Sequence, residues 1–126
     1  MTTVFVSGPT GCIGAATVGH LLDEGVQRVV GFSRREDFSR IPARYHDRIQ
    51  LVQGDITDAD QVHEAVSAAA PSAVIHLAAE SHVDRSIDGP AVFVQTNVQG
   101  TFNLLECCLA HWKQLAPEAA DSFRFL

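Results

Sequence analysis

Three glycines at regular spacing, Gly8-x-x-Gly11-x-x-Gly14, are the first residues that could do chemistry. They follow an apolar run, Val4-Phe5-Val6, and precede a helical pattern. Each glycine has a distinct expected use. Gly8 permits a tight turn, Gly11 lets backbone come close to a pyrophosphate, and Gly14 lets the helix pack against the strand. Amides near Cys12 and Ile13 would then face a diphosphate at the helix N-terminus. Alone the spacing is a weak signal. Between a short buried strand and an amphipathic helix it reads as the opening of a dinucleotide-binding half fold.

Further polar groups stand where later strands should end. Ser33, Arg34 and Arg35 follow the second apolar run, at the place where an acid commonly grips the ribose hydroxyls of NAD. Two guanidiniums there suit a 2′-phosphate better, which favours NADP slightly over NAD. The alternative is two solvated arginines on a loop. Asp55 could accept from an adenine amino group with Ile56 on the ring, or it could be a turn aspartate. Glu80, Ser81, His82, Asp84 and Arg85 are too polar for core directly after a buried strand. His76 reads as a satisfied near-core histidine rather than a proton shuttle.

These residues need a scaffold, and the pattern supplies one. Strands are expected at 3–7, 28–32, 49–53 and 73–77, with a fifth starting at Phe123. Helix one is expected over 13–24, its stripe carried by Ile13, Thr17 and Leu21 with Val18 and Leu22 beside it, and Gly25 as its stop. Thr57 or Asp58 caps a second helix through Ala69. Residues 33–48, interrupted by Pro42, hold one short helical piece and a loop. Pro90 suits the first turn of a long helix to Trp112. Val94, Val98, Thr101, Leu105 and Cys108, with Leu104, trace its expected buried stripe. Pro117 is placed in a polar connector. The alternation implies an α/β, Rossmann-like parallel sheet with helices on both faces and strand ends along one edge.

Composition excludes several classes. The 126 residues suit one domain, and 46% hydrophobic with 19% charged residues argues against disorder. The net charge is −6, with no basic stretch for a nucleic-acid backbone. No apolar run approaches the ~18 residues of a membrane span. No secretory leader is evident, so the cytoplasm is the expected location. Three cysteines make no disulfide framework, and no metal-ligand spacing occurs. Cys107 and Cys108 read as helix residues, not ligands.

The stretch from His76 to Gly100, HLAAESHVDRSIDGPAVFVQTNVQG, resembles the nucleotide-sugar 4,6-dehydratases of the extended short-chain dehydrogenase/reductase superfamily. The likeness is strongest to the dTDP-glucose 4,6-dehydratases, and ESHVDRSI is its most specific part. Leu104 to Trp112 and Ser122 to Phe125 continue it. The resemblance implies pyrophosphate contacts at Cys12 and Ile13 and adenine contacts at Asp55 and Ile56. It implies that Leu77, Ala78, Ala79 and Thr96 line the cofactor. It also puts Ser81 at the junction of cofactor and sugar and makes Asn97 an organiser of the site. The implied reaction removes water from a nucleotide sugar: oxidation at C4, elimination across C5 and C6, and reduction at C6, with the dinucleotide regenerated.

The chain departs from that pattern twice. Ser33-Arg34-Arg35-Glu36 looks more like the NADP-using branch that acts on UDP-linked amino sugars. The linker from there to strand three is also shorter than usual. The family's Thr-Asp-Glu set, its Tyr-x-x-x-Lys pair and its sugar-binding domain would all follow Leu126. Tyr45 and Lys113 are the only tyrosine and lysine here, and they cannot form that pair. The expectation is therefore the N-terminal, dinucleotide-binding portion of such an enzyme, over residues 1–126 and with no catalytic residue of its own. The competing reading is a free-standing nucleotide-binding module. A raw apolar edge at strand five makes self-association or a homodimer the expected partner state.

Overall fold

Strand β1, Thr3–Ser7, is buried at all five positions, which marks it as the centre of a sheet covered on both faces. The computed structural model describes residues 2–80 and 87–126. Strands β2 (Arg28–Ser33), β3 (Ile49–Gln53), β4 (Ala73–His76) and β5 (Arg124–Phe125) join β1 in one parallel sheet of order β3-β2-β1-β4-β5. The chain lays β2 and β3 on one side of β1, then crosses to lay β4 and β5 on the other. That reversal opens a crevice at the carboxyl ends of β1 and β4. The expected Rossmann-like sheet is what forms.

Alternation along the strands divides the core in two. Phe5, Val30, Phe32 and Val74 pack under α2 (Ala59–Ala69) and the long helix near the C-terminus. Val4, Val6, Val29 and Leu51 pack under α1 (Cys12–Asp23) and a 3₁₀ helix, Ala43–Arg48. Asp58 caps α2, its side chain accepting from the amides of Asp60 and Gln61. Gly25, at φ 101°, ends α1 in the left-handed region that glycine tolerates.

The long helix starts at Pro90 as α3 (Pro90–Phe93), passes through a π-helical stretch (Val94–Gly100) and continues as α4 (Thr101–Lys113). Its expected stripe splits. Leu104 and Cys108 are buried, but Val94, Val98 and Leu105 face outward with Phe102, Leu109 and Trp112. The inward face carries Thr96, Gly100, Asn103, Leu104, Cys107 and Cys108. A helix with two apolar faces shows a period but not which face meets the sheet, and the π turn shifts the phase further. Gly100 settles the choice, because a Cβ there would meet Ile56 Cγ2 at 2.7 Å.

Two smaller expectations also shift. The buried face of α1 is Gly14, Ala15, Val18 and Leu22, while Ile13 is 73% exposed. The helix starts one residue earlier than expected, and Ile13 faces solvent because it lies nearly opposite that buried face around the helix. Pro117 does not sit in a connector. It begins a further helix, α5 (Pro117–Ser122), at the first-turn position where its missing N–H is no loss.

Candidate functional site

Sheet register gathers the chemistry. Ser7 lies level with Phe32 and His76, and Ser33 with Gln53. Four loops therefore leave the same edge: the glycine turn after β1, Arg34 and Arg35 after β2, Gly54 and Asp55 after β3, and Leu77 to Glu80 after β4. Between them lies a cleft of about 650 Å³. Gly8, Gly11, Ser33, Arg34, Arg35, Asp55, Ile56, Leu77, Ala78, Ala79 and Thr96 line it, all residues singled out from sequence. Thr10, Phe32, Asp37, Ser39, Arg40, Gly54 and Glu80 also line it. Asp37 to Arg40 fall in residues 33–48, which the sequence marked only as one short helical piece and a loop.

The glycine turn is built as chemistry requires. Gly8 sits at φ 74°, and a Cβ there would stand 2.8 Å from the Ala78 amide nitrogen. A Cβ on Gly14 would collide with the Gly8 carbonyl, so this glycine packs the helix against the turn itself. Gly11 differs: its nearest neighbour would be Gly8 O at 3.9 Å. Space over the turn is thus open to a ligand, and α1 points its N-terminus there. Cys12 and Ile13 are exposed in that first turn, beside the cleft rather than among its lining residues. This open, donor-rich cradle fits the phosphates of a dinucleotide.

A hydrogen-bond chain fixes the wall made by β4. The Leu77 and Ala78 amides both donate to Ser7 Oγ, at 3.1 and 3.2 Å. Ser7 Oγ lies 2.6 Å from His76 Nδ1, and His76 Nε2 lies 2.8 Å from Thr101 Oγ1. Thr101 gives its only hydroxyl proton to Asn97 O. Donor counting then assigns the neutral imidazole with the proton on Nε2 and the Ser7 hydroxyl donating to Nδ1. Burial lowers the pKa of His76, in keeping with the neutral form. His76 is a satisfied structural histidine, as read from sequence.

Asn97 does not line the cleft, but it clamps the loop that does. Its Oδ1 accepts from the Glu80 amide at 2.9 Å, and its Nδ2 donates to Glu80 O at 3.0 Å. Asp55 Oδ1 accepts from both the amide and the hydroxyl of Thr57, so the turn-aspartate reading is realised. The Thr57 amide foremost, then its hydroxyl and Arg34, lower the Asp55 pKa against the opposing effect of burial. Ser33 Oγ donates to Arg35 O within its own turn. Ser81, with His82, Asp84 and Arg85, lies outside the described residues.

Other candidates fall away from the cleft. Tyr45 is buried under α1, where its hydroxyl lies 2.8 Å from both oxygens of Asp23. Burial pushes the Cys108 thiol up to about 12, with Cys107 adding to the rise. Both cysteines are inert core residues. Among the described residues, no helix is long and apolar enough to cross a membrane.

Comparison with known proteins agrees with this geometry. In sequence, the chain is 38% identical to the dTDP-glucose 4,6-dehydratase of Neisseria meningitidis serogroup B, covering 99% of this chain and 36% of that protein. It is 40% identical to a Xanthomonas campestris dTDP-glucose 4,6-dehydratase, covering 100% of this chain and 37% of the relative. The chain thus spans about a third of the length of these relatives. In structure, it resembles the UDP-glucose 4-epimerase of Brucella ovis in complex with NAD, with a TM-score of 0.78 and 32% identity over 90% of this chain and 34% of the other. The Thermus thermophilus UDP-glucose 4-epimerase complex with NAD gives a TM-score of 0.78 at 28% identity, over 87% and 34%. The family model of GDP-mannose 4,6 dehydratase matches residues 5–126, and the chain belongs to that family.

Proposed function

We propose that the chain is the nicotinamide-dinucleotide-binding portion of a nucleotide-sugar 4,6-dehydratase. The observation that carries this reading is the cleft itself, which places an open Gly8–Gly14 turn at the switch point between β1 and β4. Gly8, Gly11, Cys12 and Ile13 would hold the pyrophosphate, with Gly14 keeping the turn tight. Ile56 would pack on the adenine and Asp55, whose Oδ1 is held by Thr57, would accept from its amino group through Oδ2, with Leu77, Ala78, Ala79 and Thr96 forming the opposite wall. A bound dinucleotide would supply the hydride acceptor and donor for sugar oxidation and reduction. Asn97 acts on the site by holding Glu80 and its loop. Ser81 is assigned to the sugar side by family likeness. The sequence relatives named as dTDP-glucose 4,6-dehydratases support the substrate class. The solved neighbours in complex with NAD support the cofactor class.

Titration calorimetry tests the reading. NAD and NADP are both expected to bind, NADP at least as tightly, because Arg34 and Arg35 stand where an acid would favour the bare ribose. An exposed arginine–phosphate pair is worth about 1 kcal/mol, so the preference is several-fold at most. A clear NAD preference that survives Arg34→Ala would refute the NADP assignment.

Purified residues 1–126 are expected to show no dehydratase turnover. The only tyrosine is tied to Asp23 away from the cleft, and the only lysine, Lys113, ends α4. Incubation with dTDP-glucose and dinucleotide should yield no 4-keto-6-deoxy sugar by its alkaline absorbance. Product that tracks with the purified chain would overturn this. The same preparation is expected to elute above its 13.6 kDa monomer mass, self-associated through the open edge of the sheet at β5. A monomer by light scattering would remove that part of the proposal.

A further inference from the structure

Among the described residues, one ion pair spans the cleft. Arg34 Nη2 lies 2.9 Å from Glu80 Oε1. Arg34 follows β2 and Glu80 follows β4, with β1 between them in the sheet. The pair therefore reaches over the carboxyl end of β1, where the glycine turn begins, and both residues line the cleft. The partners are held unequally. The Glu80 side chain is 11% exposed, and both its backbone amide and carbonyl are bonded by Asn97. The Arg34 side chain is 63% exposed on a long stem. The carboxylate is the fixed partner and the guanidinium the movable one.

We propose that Glu80 is a specificity-determining residue, which draws Arg34 across the cleft and so suppresses the preference for a phosphorylated adenosine ribose that Arg34 would otherwise confer. The inference rests on the reading that the cleft takes a nicotinamide dinucleotide. A ribose phosphate and the Glu80 carboxylate are both anions that want the same planar fork. A phosphate can engage Arg34 only by parting the existing pair. A ligand with bare ribose hydroxyls gains much less from the guanidinium and is less affected by where it sits. The charge at position 80 therefore changes the ratio of the two affinities more than either binding event as such.

A double-mutant cycle reads this ratio. NAD and NADP are titrated at low salt into wild type, Glu80→Gln, Arg34→Ala and the double variant, each first checked for folding by circular dichroism. Glu80→Gln keeps the side-chain shape and the backbone bonds to Asn97 while removing the charge. It should raise the affinity ratio of NADP over NAD by roughly two- to five-fold, the range for a partly exposed ion pair. In the Arg34→Ala background the same change should leave the ratio where it was. An unchanged ratio in Glu80→Gln, or an equal rise without Arg34, overturns the proposal. Should Glu80→Gln not fold, Glu80→Asp, whose carboxylate is drawn back by one methylene, must move the ratio in the same direction or the proposal fails. Wild type that binds both dinucleotides, with the variants keeping its ratio, sinks this inference alone. Wild type that binds neither sinks the dinucleotide reading and this inference with it.

Discussion

Gly14→Ala is expected to destabilise the chain by about 3 kcal/mol, the upper end for forcing volume into a packed site. The added methyl would overlap the Gly8 carbonyl and stand 3.0 Å from Pro9 Cα. Both obstacles are backbone, so no rotamer change relieves them. Gly8 in turn is held in the left-handed region and sits against the Ala78 amide. The strain would pass from α1 into the turn and the β4 loop together. Urea unfolding monitored by circular dichroism measures the change. A loss below about 1 kcal/mol would show that α1 can move off the turn freely, and the account of Gly14 would fail.

Gly11→Leu is expected to do the opposite: to keep most of the stability and lose the ligand. Gly11 has φ −73°, ordinary for any residue, and a Cβ there meets nothing closer than 3.9 Å. The leucyl group would fill the open space above the turn, where the pyrophosphate is proposed to lie. A drop in NAD affinity of about 30-fold or more, roughly 2 kcal/mol, should accompany a stability loss of no more than about 1 kcal/mol, the cost of leucine at the N-cap of α1. Equal affinity in native and variant chains would remove the pyrophosphate site from this turn. The two substitutions separate the spacing motif into a folding glycine and a binding glycine.

Much of this scaffold was legible because local rules and tertiary demands coincide. The run Val4-Phe5-Val6 needs cover on both faces, so it had to be central. Asp58 announces a helix by its capping chemistry, and Pro90 by its missing N–H. Strand ends then fall on one edge, which is why most of the cleft could be named from spacing and likeness to known dehydratases. The misread helix faces share one cause. Periodicity reports apolar faces but not their partners, so Val94, Val98 and Leu105 looked like core although Gly100 and Leu104 do the packing. Pairings between distant residues leave no local trace. Arg34 and Glu80 meet across 46 positions, and the Ser7–His76 bond joins residues 69 apart. Asp55 offered two readings, and only the structure shows its Oδ1 committed to Thr57.

The sheet order also sets a timetable for synthesis. Strand β1 leaves the ribosome first, yet one of its edges is covered only when Ala73–His76 arrive. At roughly 5–20 residues per second, that interval of about 70 residues lasts about 4–14 s. Before then β2 and β3 can join β1, but Phe5 and Val30 lack the Val74 and Leu104 side chains that complete their side of the core. A nascent chain caught in this window presents one open edge of β1, with the apolar centre Val4-Phe5-Val6, to its neighbours on the polysome. The strand most deeply enclosed at the end is the one with the longest exposure to wrong partners, which makes residues 3–7 the place where a chaperone would matter most.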